Sequence, residues 1–245
     1  MKMNKLLVAL PLSLALLVPT AALADSHGHQ SASSEAPAEI STDTPAAELR
    51  IALDTVLTEH AFLAIETMRK GADGAADFDQ ASATLLANSD DIAAAVASVY
   101  GEEGAAAFLE IWNSHIGYFV DYVVATGEGN QEGKDQALAQ LEEYKVEQAN
   151  FFATATEERL PAAAVKEGLD VHVNQLVTIF DQYVAGDFES AYAGEREAIY
   201  HMSMFAETLS IAIADQFPEE FDGTNPDTPA VDLRAQLNYV FTEHA

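Results

Sequence analysis

The chain contains no cysteine, so a disulfide framework, a thiolate zinc site and covalent c-type haem attachment are all excluded. Basic residues are scarce: 11 Lys and Arg stand against 40 Asp and Glu, a formal net charge of −29 with a pI near 4.2. A surface this negative repels phosphate, which argues against nucleic acid and anionic lipid headgroups as partners. Beyond its N-terminal segment the chain has no run of 18 consecutive apolar residues, so no membrane insertion is expected after maturation. The acids are spread along the chain, and the favoured reading of them is a hydrated, salt-adapted surface. The alternative is a reservoir for cations.

What is present begins with an export signal. Lys2 and Lys5 precede an apolar stretch over 6–18, and Ala22-Leu23-Ala24 is a small-x-small cleavage site. This predicts a signal peptide over 1–24 and a periplasmic or secreted bacterial protein. Cleavage removes two lysines and no acid, leaving 9 basic against 40 acidic residues and a net charge of −31. Residues 25–44, rich in Ser, Ala, Pro, Glu and Thr without aromatics, read as a disordered leader.

From residue 45 the hydrophobic pattern is helical throughout, with no sustained alternation of the kind a strand needs. Glycine and proline divide it into segments near 46–70, 78–100, 103–126, 134–156, 161–185 and 187–216. The expected fold is all-α, a bundle of about six helices built from three αα-hairpins over 45–221. Asp77 and Asp187 are expected N-caps, each followed by a phenylalanine that opens the core face.

Two repeats are visible. Thr44-Pro45-Ala46 through Thr58-Glu59-His60-Ala61 recurs as Thr228-Pro229-Ala230 through Thr242-Glu243-His244-Ala245, with 11 of 18 positions identical at an offset of 184. The reading is a linker over 222–230 and the start of a truncated second module over 231–245. A fainter repeat spaces His60, His115 and His172 by 55 and 57 residues, each on the first helix of a hairpin, with Leu57, Trp112 and Leu169 three residues earlier.

Two sets of residues carry candidate chemistry. Cleavage after Ala24 would expose Asp25-Ser26-His27-Gly28-His29, whose amino group, two amides and third-position imidazole form a square-planar nitrogen set suited to Cu(II) and Ni(II), with His29 as a further ligand. The motif resembles the amino-terminal copper and nickel site of serum albumins. The second set lies on the helices. His172 and His201 stand 29 residues apart about a turn at Gly186-Asp187, which brings the two imidazoles to one height, with Met204 three residues beyond His201. Two imidazoles and a thioether suit Cu(I), and hairpins in register would bring His60 and His115 to the same level. The competing reading makes these histidines structural, hydrogen-bonded inside the core, and Met202 and Met204 gap-filling.

Enzyme signatures are missing. None of the seven histidines has a glutamate three residues before it, as the di-iron bundles require, and there is no zinc helix, nucleophile elbow, P-loop, dinucleotide fingerprint or EF-hand loop. No catalytic residue is expected.

Leu49-Arg50-x-x-Leu53 leading to Glu59-His60-Ala61, with Tyr100-Gly101, Trp112-x-x-His115-Ile116, Leu160-Pro161, Tyr183-x-x-Gly186-Asp187-Phe188 and Gln216-Phe217-Pro218, resembles a group of secreted bacterial helical-repeat proteins over about residues 47–221. Some members carry a copper amine oxidase N-terminal-like label, which belongs to a separate downstream domain. The resemblance implies a helical fold and supplies no activity to carry over. Amine oxidase chemistry needs a tyrosine between Asn and an acid, whereas Asn238-Tyr239 is followed by Val240.

The sequence thus predicts a non-enzymatic, extracytoplasmic helical binding protein whose partner is a metal ion or a protein. Copper is the expected ligand, held by Asp25, Ser26, His27 and His29 and by His60, His115, His172, His201 and Met204. The alternative is a helical scaffold for contacts at the cell surface.

Overall fold

The computed structural model describes residues 41–244; the expected signal peptide, the leader up to residue 40 and Ala245 lie outside the described residues. Six α-helices and no strands are found there: α1 Pro45–Asp73, α2 Phe78–Gly127, α3 Gln131–Ala155, α4 Ala162–Val184, α5 Phe188–Gln216 and α6 Pro229–His244. The fold is the all-α bundle that the pattern predicts, with one change of boundary. The break expected between 78–100 and 103–126 lies inside α2, where Gly101 leaves helical geometry at φ 74°, ψ 175° and kinks the chain between two helical halves. The last linker ends at Thr228, because Pro229 is already helical.

Three hairpin contacts build the bundle: α1 against α2, the second half of α2 against α3, and α4 against α5, while α1 also packs on α5 and α3 on α4. Local chemistry sets the ends. Thr44 accepts from the Ala47 amide at 3.2 Å, with Pro45 in the first turn of α1 where its missing N–H costs nothing. Asp187 caps α5 as expected, accepting from Ser190 at 3.3 Å. Asp77 does not cap α2: its carboxylate pairs with Lys70 Nζ at 2.9 Å instead.

By length and composition α2 is apolar enough to cross a bilayer, yet it bends at Gly101, and its second half carries Phe108, Trp112, His115 and Phe119 in the core. Both halves of α2 pack on α1, the first through Asn88 on the Val56 carbonyl and the second through Trp112 and His115 on His60. A side chain on residue 101 would meet no neighbouring atom, so Gly101→Ala tests the backbone alone. The substitution is expected to lower stability by about 1–2 kcal/mol through the left-handed φ, measured as the shift of the urea midpoint. An unchanged midpoint would mean that α2 straightens freely.

Candidate functional site

Four helices deliver one imidazole each to the interior: His60 from α1, His115 from α2, His172 from α4 and His201 from α5. Each of the first three sits one helical turn after a buried apolar residue (Leu57, Trp112 and Leu169), so the same ridge that packs the bundle turns its histidine toward the centre. His60, His115 and His172 are 0, 1 and 2% exposed, and His201 is half-buried.

The rings are close. Centroids lie 5.4 Å apart for His60 and His115, 6.0 Å for His60 and His172, and 6.5 Å for His172 and His201, whose planes differ by only 16°. Aromatic neighbours fix them. Tyr144 of α3 stacks on His115 at 4.6 Å, and Trp112 lies 4.7 Å from His60 and 4.8 Å from His115.

The hydrogen bonds set the tautomers. His115 Nδ1 donates to the Trp112 carbonyl, which leaves Nε2 as a lone pair. That Nε2 faces Nε2 of His60 at 3.4 Å. Asn88 commits its amide nitrogen to the Val56 carbonyl and the Glu59 carboxylate, both at 3.0 Å, while its oxygen and Nδ1 of His60 are buried without a hydrogen-bond partner. A proton on Nδ1 makes Nε2 of His60 a second lone pair aimed at the first. The other tautomer makes an N–H···N bond to His115 and leaves Nδ1 bare.

Around this pair the polar atoms are poorly matched. Both ring nitrogens of His172, the Trp112 Nε1 and both amide atoms of fully buried Gln148 lack a protein partner. Such groups cost free energy unless water or a ligand joins them. A cavity of about 20 Å³ beside His60 and His115, walled by Ile116, Phe119, Met68 and Thr67, has room for one water-sized occupant.

Burial pushes every ring away from the charged form. Desolvation lowers His172 to about 3 and His115 to about 4, and holds His60 well below the usual histidine value, with the neighbouring imidazoles adding to the effect. All three are therefore neutral at pH 7, the state in which an imidazole ligates a metal.

The sequence-derived set divides as follows. His60, His115 and His172 converge. His201 stands beside His172, but its Nε2 donates to the Gly168 carbonyl at 2.9 Å. Met204 is 42% exposed and borders a surface groove with Glu197 and His201, outside the buried layer; it follows the outer face of α5, whereas Met202 is in the core as expected. Among the described residues, no three His, Cys, Asp or Glu side chains are placed to grip a common ion. Asp25, Ser26, His27 and His29 lie outside the described residues.

Sequence reasoning did not single out Asn88 or Gln148. Each is a polar residue on an otherwise apolar helix face, which is the signal that marks them. No family model, curated protein or solved structure matches the chain.

Proposed function

We propose that the protein is an extracytoplasmic, non-catalytic binding protein, and that its buried ligand is a copper ion taken up between His60 and His115. The observation that carries this reading is the pair of Nε2 atoms facing one another at 3.4 Å. An ion about 2.0–2.1 Å from each of two nitrogens, at a tetrahedral angle, separates them by about 3.3–3.4 Å. Neutral imidazoles in a buried, cysteine-free site suit copper, and His172, with both nitrogens lacking a partner among the described residues, is the nearest source of a third ligand after a rotation of its ring. The export signal and the Asp25-Ser26-His27 motif favour the same ligand from a different part of the chain.

The test is anaerobic Cu(I) titration against a chromogenic competitor, run on the unchanged protein and on His27→Ala, the background that lacks the N-terminal site. One equivalent is expected in that background, weakened more than about 100-fold by His115→Phe, a ring that keeps the stacking on Tyr144. Equal binding with and without His115→Phe would overturn the internal site, and a copper equivalent lost only when His27 is changed would move the function to the N-terminus. The scaffold reading has its own support, the exposed apolar side of α6, and becomes the leading one if neither site binds.

A further inference from the structure

Helix α6 packs on α1, the helix whose sequence it repeats. Their contacts are reciprocal. Arg50 of α1 donates to the Pro226 carbonyl at 2.9 Å and to Asp232 at 2.6 Å. Arg234 of α6 donates to the Thr42 carbonyl at 2.6 Å and pairs with Glu48. At the repeat offset of 184, Arg234 is the counterpart of Arg50, Thr42 of Pro226 and Glu48 of Asp232. Between them Asn238 donates to Asp54 at 2.6 Å, and these two are each other's counterparts. A contact in which residue i meets j while the counterpart of j meets the counterpart of i is the signature of a two-fold axis, here a local one passing between Asp54 and Asn238. The rungs ascend both helices in the same direction, so α1 and α6 run side by side.

Among the described residues, the opposite side of α6 has no partner. Leu237 and Phe241 are 49% and 67% exposed, yet their counterparts in α1, Leu53 and Leu57, are 3% and 2% exposed in the bundle core. His244, also exposed, is the counterpart of His60 in the imidazole layer. The bare side of α6 is thus the core-facing side of α1, presented without the helices that cover it.

We propose that α6 is the first helix of a second bundle of the same kind, and that α1 and α6 form the junction through which two bundles pair about this axis. The occupant of the exposed face is the second bundle's own core, of the sequence type of residues 62–221. An isologous contact closes on itself, so the arrangement is a pair and not an open array of modules. The same axis assigns Glu59, the counterpart of Glu243, to the Arg196 of a second bundle, because Glu243 meets Arg196 at 2.6 Å in this one.

The experiment appends residues 62–221 directly after Ala245. The extended chain is expected to be a monomer with twice the bundle's helical signal and a compact pair by small-angle scattering. Leu237→Asp with Phe241→Asp is expected to leave the 245-residue chain unchanged and to abolish the helical signal of the added bundle alone. Arg234→Glu, which sets two acids together at Glu48, is expected to leave both bundles folded and to lengthen the particle. An added bundle that stays folded with both aspartates would overturn the proposal, as would a compact particle unaffected by Arg234→Glu. So would dimerisation of the 245-residue chain that the two aspartates abolish, because a second copy would then be the occupant.

Discussion

Lowering the pH from 7 to 4.5 is expected to remove about 2.5 kcal/mol of stability for each of His115 and His172, about 5 kcal/mol together. Above pH 6.5 these rings are neutral whether the chain is folded or not, and they contribute no pH dependence. Below it the unfolded chain takes up protons that the bundle refuses, so stability falls with pH until the folded values of about 4 and about 3 are reached. His60 acts in the same direction. A loss of this size approaches the whole stability of a small domain. Protonation of the many carboxylates relieves their mutual repulsion and opposes the trend, but this takes place mainly at the lower end of the window. Urea unfolding followed by circular dichroism at pH 7, 6, 5 and 4.5 measures the slope, and His115→Phe should make it shallower by about one histidine's share. A flat profile in the unchanged protein would mean that water already reaches the layer and lets it charge.

The sequence carried the layer because the hairpin repeat and the bundle core share a period. Leu57, Trp112 and Leu169 mark the core ridge, and the histidine one turn on must then face inward. The spacing could not say which nitrogen points where. That depends on the Trp112 carbonyl three residues back in α2 and on the stacking of Tyr144 from α3, contacts that leave no trace in a single period. Met204 shares its side of α5 with half-buried His201, and that side borders the outside groove, so the thioether sits at the rim and not in the layer.

Arg50→Ala is expected to cost about 3–5 kcal/mol, whereas Arg234→Ala, the same change at the counterpart position, should cost about 1 kcal/mol or less. Both arginines bind an acid and a carbonyl across the α1–α6 contact, so the number of bonds does not separate them. Burial does. The Arg50 side chain is 6% exposed and holds a second acid, Glu207 of α5, at 2.6 Å, so its removal opens a gap in the interior and leaves two carboxylates and a buried carbonyl contact without their shared partner. The Arg234 side chain is 35% exposed, and solvent takes its place. Because Arg50 ties α5 and α6 to α1 at once, its loss is also expected to release α6, exposing the amides of Val231 and Ala235 to rapid hydrogen exchange while α2 and α3 remain protected. Equal costs at the two positions would show that the junction has the same strength on both sides of its axis, and that α5 contributes nothing to holding it.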